Sequence, residues 1–177
     1  MNNPVLLKKC VRLGVRFLLF GIPWILTGCS MSYSFTGSDA GDAKTVSVAL
    51  FPNNAELVNP RLAQAFTEQL RTTLVQQSTL SLAPRDGDLD FSGAIVGYSV
   101  TPLAPAANET VSLSRLTLVV EVELQHRLDA KKNFSQRFTS TRDYPATQDL
   151  SAVESGLMDE MCRELAEKIF TRALVQW

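Results

Sequence analysis

The sequence predicts an α+β domain, a two-layer sandwich in which a four-stranded sheet is covered on one face by two helices, in the order β-α-β-β-β-α. Three observations carry this reading. From Val111 to Gln125 the chain alternates, with Leu116, Leu118, Val120, Val122 and Leu124 on one side and Arg115, Thr117, Glu121 and Glu123 on the other. That period of two marks a sheet buried on one face and wet on the other. Two other stretches place apolar residues every four positions instead: Leu62, Phe66, Leu70 and Leu74, then Val153, Leu157, Met161, Leu165, Ile169 and Ala173. Each is the stripe of an amphipathic helix. One apolar sheet face and two apolar stripes close around one core.

The chain opens on a different pattern. Lys8, Lys9, Arg12 and Arg16 precede an apolar run from Phe17 to Leu26, which closes on Leu26-Thr27-Gly28-Cys29. A basic front, a short apolar middle and small residues before a cut make a secretory signal. This one resembles a bacterial lipoprotein signal, so residues 1–28 are expected to be removed and Cys29 to become the acylated first residue. The apolar run is roughly half the ~20 residues a spanning helix needs, and Pro23 interrupts it. Membrane attachment is therefore expected through acyl chains on Cys29, two or more of which hold firmly. Ser30 after the cysteine resembles the sorting pattern for the outer membrane.

Of the 17 Lys and Arg residues, four leave with the signal, whereas all 18 Asp and Glu remain, so the net charge falls from −1 to −5. An acidic balance argues against a nucleic-acid partner, which needs a strong cationic field. Cys10 leaves with the signal and Cys29 is acylated. Only Cys162 remains as a thiol, and no internal disulfide can form.

Residues 29–43, rich in Ser, Gly, Asp and Ala, read as a flexible tether to a single domain over 44–177. Val46, Val48 and Leu50 place one face of a first strand, which Pro52-Asn53-Asn54 ends. Asn59 as cap and Pro60 as first residue open the first helix. Leu80-Ser81-Leu82 finishes that unit or adds a short strand, and Pro84-Arg85-Asp86-Gly87 turns. Leu89 to Val100 forms the next strand, with Leu89, Phe91 and Ile95 on one side and Val96, Tyr98 and Val100 on the other. Gly93 and Gly97 within it point to a bulge or a close neighbour. A loop over Pro102 to Asn108 leads to the alternating strand described above. Asp129 to Asn133 then turns the chain into a partner strand through Phe134, Gln136, Phe138 and Ser140, which Tyr144-Pro145 breaks. Ser151 with Glu154 is a capping-box pattern opening the final helix, which runs to Trp177.

Few residues suggest chemistry. The single histidine, His126, is read as a solvated strand-end residue, with no second His or Cys to complete a metal site. Asp86, Asp88 and Asp90 resemble the start of a calcium loop, but Phe91 stands where Gly is needed and Gly97 where a bidentate Glu is needed. Asn108-Glu109-Thr110 and Asn133-Phe134-Ser135 match a glycosylation pattern that a bacterial lipoprotein has no reason to use. No nucleophile elbow, phosphate loop or dinucleotide fingerprint is present. The expectation is a protein that is not an enzyme, with no cofactor and no metal. One charge feature stands out: Arg127, Lys131, Lys132, Arg137 and Arg142 surround a lone Asp129. Such a hairpin suits anionic phosphates; lysines at an exposed turn or edge also discourage sheet-to-sheet pairing.

Several stretches together resemble the LptE family of lipopolysaccharide-assembly lipoproteins. They are Thr45 to Ala55 with the helix from Asn59 to Glu68, Asp88 to Gly93 with Tyr98, Arg115 to Val120, and Ile169-Phe170 to Trp177. The resemblance implies a two-layer domain of two helices on a four-stranded sheet. It also implies a lipid-anchored protein on the periplasmic side of the outer membrane, plugging and helping to fold an LptD-like outer-membrane β-barrel and binding lipopolysaccharide. In that picture Arg127, Lys131, Lys132 and Arg137 become candidate contacts for lipid A phosphates, on local charge alone. Two other readings stay open, an accessory lipoprotein of another envelope secretion or barrel-assembly complex and a lipid-handling enzyme.

Overall fold

The computed structural model describes residues 42–57, 59–104 and 112–175. The expected signal, Cys29, almost all of the tether, the loop at Pro105 to Asn108 and Trp177 lie outside the described residues. The elements are β1 (Thr45–Val48), α1 (Leu62–Gln76), β2 (Ser81–Leu82), β3 (Leu89–Leu103), β4 (Leu113–His126), a 3-10 turn (Ala130–Lys132), β5 (Phe134–Pro145) and α2 (Leu150–Leu174). The α+β class with one sheet and two helices is what the sequence predicts. The strand count is not: the sheet has five strands in the order β2-β1-β3-β4-β5, and the chain order is β-α-β-β-β-β-α.

The added strand is β2, too short to show any alternation. It pairs parallel to β1 on the side opposite β3, which is also parallel to β1. The link from β2 to β3 must therefore cross β1, and it does so at Gly87. A Cβ there would lie 2.6 Å from Ser47 N and 2.8 Å from Val46 C, so only glycine lets the crossing chain lie this close. The Gly87 N–H donates to Ser47 Oγ at 3.0 Å.

The core is one cluster formed by the inner sheet face and both helices. Leu62, Phe66, Leu70 and Leu74 of α1 are fully buried, as are Leu116, Leu118, Val120, Val122 and Leu124 of β4. Burying each such side chain contributes about 1.5–3 kcal/mol. In α2 the buried set is wider than the four-residue stripe, adding Met158, Cys162, Ala166, Phe170 and Leu174, while Val153 and Leu157 pack at its margin.

Four local expectations are corrected. Leu50 is 62% exposed rather than in the core, because β1 ends at Val48 and the chain swings inward one residue later. Phe51 takes the buried place, edge-on to Phe66 with centroids 5.2 Å apart, its N–H donating to buried Thr67 Oγ1 at 3.1 Å. In β3 the register with β4 shifts between Ile95 and Gly97. The extra residue returns Tyr98 to the same inner face as Leu89, Phe91 and Ile95, and turns Val96 outward. Helix α1 starts at Leu62, two positions after Pro60, although Asn59 Oδ1 still accepts the Arg61 N–H at 2.9 Å. Finally, α2 has no capping box, because its chain enters at Asp149 and Glu154 is engaged elsewhere.

Candidate functional site

The basic hairpin sits between β4 and β5, and its turn is built by three polar side chains. His126 is 5% exposed, not solvated, and its Nδ1 accepts the Asp129 N–H at 3.0 Å. The imidazole therefore carries its proton on Nε2 and serves as a turn-closing acceptor. Asn133 Oδ1 accepts the His126 N–H at 2.7 Å, and Asp129 Oδ1 accepts the Lys131 N–H at 3.1 Å. Sequence reasoning had no signal for this, since burial of His126 follows from a turn that folds back over it.

The four candidate cations are not alike. Arg127 is paired with Asp86 on the β2–β3 link, and Arg137 Nε meets Glu121 Oε2 directly across the β4–β5 ladder at 2.9 Å. Lys131 projects from the 3-10 turn into solvent, while Lys132 beside it is half-buried and engaged with the protein. The hairpin thus presents Lys131 exposed, with the exposed Arg127 and Arg137 partly offset by acidic partners. Exposed pairs of this kind are weak, about 0–1 kcal/mol, so an incoming phosphate competes for these arginines at little cost.

Arg142, further along β5, belongs to a separate cluster. Its Nη1 donates to Glu164 Oε2 at 2.6 Å and its Nε to Glu160 at 3.2 Å. Lys168 meets the other Glu164 oxygen at 2.6 Å, and Ser140 Oγ donates to Glu164 at 2.8 Å. Lys168, then Ser140 and Arg142, hold the Glu164 carboxyl down to about 2. The Glu164–Lys168 half was legible as an i, i+4 pair; Arg142 and Ser140 arrive from another element.

The three aspartates that resemble the start of a calcium loop instead join separate elements of the fold. Asp88 Oδ2 accepts from the backbone N–H of Lys44 (2.9 Å) and Thr45 (3.0 Å) and from Thr45 Oγ1 (2.9 Å), while its own N–H donates to Thr45 Oγ1 at 2.9 Å. The Lys44 N–H is the main cause holding this carboxyl below its ordinary value. Asp90 Oδ1 accepts from Ser47 Oγ at 2.6 Å. Asp86, Asp88 and Asp90 therefore tie β1 and the hairpin to the start of β3.

Among the described residues, two of the surface grooves border the sheet. One, about 450 Å³, lies where Leu50, Arg71, Arg85 and Asp90 meet; the other, about 440 Å³, lies between β5 and α2 beside Phe138, Glu164 and Arg172. The first contains the Ser47–Asp90 contact with no imidazole among its lining residues. Among the described residues, no group of three or more His, Cys, Asp or Glu is placed to hold a metal ion, and no helix is long and apolar enough to cross a membrane. Cys162 is packed in the core, where burial pushes its thiol up to about 12.

These features define a two-layer α+β domain whose exposed chemistry is charge pairing on a sheet and its hairpins. The chain belongs to the LptE family: the model of that family, described as lipopolysaccharide-assembly, matches residues 43–173. No curated protein matches the sequence with significance. Among solved structures it is similar to a minor lipoprotein from Acinetobacter baumannii, at 18% identity and TM-score 0.48 over 73% of this chain and 91% of that one. It is also similar to rare lipoprotein B from Shewanella oneidensis, at 18% identity and TM-score 0.43 over 72% and 92%. A hypothetical protein from Chlamydia trachomatis aligns at 12% identity and TM-score 0.49 over 74% and 98%.

Proposed function

We propose that this protein is an outer-membrane lipoprotein, anchored on the periplasmic side by acyl chains on Cys29, that works as plug and folding partner of an LptD-like barrel and binds lipopolysaccharide. The observation that carries this reading is the family match, which spans nearly all of the folded domain, from residue 43 to residue 173. The front of the sequence supports the anchor, because the basic, apolar and Leu26-Thr27-Gly28-Cys29 segments occur in the order a lipoprotein signal needs. The hairpin of Arg127, Lys131, Lys132 and Arg137 supplies cations for lipid A phosphates, with Arg127, Lys131 and Arg137 exposed.

Affinity purification of the tagged full chain from detergent-solubilised envelopes tests the partnership. Recovery of an LptD-like barrel in about equal amount supports it, and recovery of a different secretion or assembly component without that barrel overturns it. The ligand is tested separately with purified lipopolysaccharide. Lys131→Glu with Lys132→Glu is expected to weaken its binding several-fold and to flatten the dependence on salt, as loss of phosphate contacts does. Unchanged binding would remove the hairpin from the site.

A further inference from the structure

The two edges of the sheet are unequal. The β2 edge is two residues long, whereas β5 offers a long edge from Phe134 to Pro145. An edge of that length is a template for pairing with another strand. Ala146 N donates to Ser112 O one step beyond the Leu113–Pro145 pair, so the even-numbered residues of β5 bond to β4. The odd-numbered residues, from Ser135 to Asp143, therefore aim their N–H and C=O groups at the free edge. Two of those carbonyls are already occupied. Lys168 Nζ, reaching from α2, donates to Thr139 O at 2.9 Å, and Arg142 Nη1 donates to Thr141 O at 2.9 Å. Glu164 holds both cations, one on each carboxylate oxygen.

The same edge is complementary to itself. An antiparallel second copy centred on Ser140 sets Thr139 opposite Thr141 and Arg137 opposite Asp143, twice over, with all these side chains on the outer sheet face. Arg137 is already paired with Glu121, and Asp143 with Arg115, in the rows on either side. One row across the seam would then read Glu121, Arg137, Asp143 and Arg115, alternating in sign throughout. Opposite charges and threonines facing each other are the pairs that favour a ladder.

We propose that the β5 edge is a self-pairing surface for a second copy of this chain, and that Lys168 and Arg142, anchored on Glu164, shut it and keep the chain a monomer. The guard acts by occupying the central carbonyls and by placing two cations where the incoming strand must lie. It is distinct from the lysines of the hairpin turn, and it does not depend on the family function.

The test uses the full chain in detergent, with its mass read by light scattering after size exclusion and its fold checked by circular dichroism. The native chain is expected to be a monomer. Arg142→Met with Lys168→Met is expected to give a dimer whose segment 137–143 is protected from hydrogen exchange. Adding Arg137→Asp, which faces Asp143 across the seam, is expected to weaken that dimer about tenfold. Adding Asp143→Arg to that variant is expected to restore it. A folded Arg142→Met/Lys168→Met variant that stays monomeric, or associates in a way neither charge change affects, overturns the proposal. Should that double variant not fold, Glu164→Gln keeps both cations and releases their anchor. Concentration-dependent protection of 137–143 in it supports the guard, and its absence overturns it.

Discussion

The backbone carbonyl oxygen of Glu121 occupies the place where a side chain on Gly93 would begin, for a Cβ added there would sit 2.0 Å from it. Gly93 pairs with Val122 in the β3–β4 ladder and holds φ at +152°, a conformation that side chains rarely adopt. Steric overlap and backbone strain therefore act together. Gly93→Ala is expected to destabilise the fold by on the order of 3 kcal/mol. Urea unfolding followed by circular dichroism reads this directly, and a loss below about 0.5 kcal/mol, the range of an ordinary surface change, would contradict it.

Glu164 makes stability depend on acid. Its carboxyl lies at about 2 in the fold against an ordinary 4.5, with Lys168 the first cause. A carboxyl depressed in this way contributes its full stabilisation above 4.5, and that contribution is lost as the pH falls from 4.5 towards 2. Glu164→Gln is thus expected to be less stable than the native chain at pH 7, with the gap narrowing across that window. Asp88 and Asp143 are shifted in the same direction, so the native chain itself should lose stability on acidification. Denaturant midpoints of both proteins at pH 7, 4 and 3 measure the narrowing, and a constant gap would place the role of Glu164 elsewhere.

How far the fold was legible depended on the length of each pattern. The stripes of α1 and α2 and the alternation of β4 persist over enough residues that burial leaves a clear period, and the layers follow from them. Leu50 and Tyr98 defeated the same reasoning, each through a single-residue event. A strand that stops at Val48 frees Leu50 from the alternation, and one extra residue before Gly97 transfers Tyr98 to the other face. Gly93 and Gly97 did announce an irregularity, but not the face it would change. β2 is short enough to carry no period at all. The candidate site was legible as charge and not as pairing. Nothing local in the sequence shows that Arg127 meets Asp86, that Arg137 meets Glu121, or that Asp88 binds the backbone at Lys44, because each contact joins separate elements.

Cys162 is expected to be chemically silent while the domain is folded. It is 2% exposed, and burial raises its thiol to about 12, so neither access nor thiolate is available at pH 8. A disulfide reagent added to protein in which Cys10 and Cys29 have both been replaced should react only on the timescale of unfolding, and fully in denaturant. Prompt reaction in native buffer would mean that α2 opens locally around Met161 and Cys162.

Tyr98 and Glu154 lock the irregular strand to the last helix. The phenol of Tyr98 is 1% exposed and donates to Glu154 Oε1 at 2.8 Å, and Asn59 Nδ2 donates to the same oxygen at 2.8 Å. Burial first, and then this bond to Glu154, push the phenol above its ordinary value of 10. One oxygen thus gathers β3, the approach to α1 and the start of α2, which explains why Glu154 is not free to cap its own helix. Removing the hydroxyl with Tyr98→Phe leaves the ring packed and Glu154 still bonded to Asn59, so the expected cost is about 1–2 kcal/mol. Asn59→Ala should cost a similar amount alone. Because both donors share one acceptor, the double variant is expected to lose more than the sum of the two, leaving a partly buried carboxylate with neither partner. Strict additivity in a double-mutant cycle would show that the two donors act independently and that Glu154 does not couple the elements they come from.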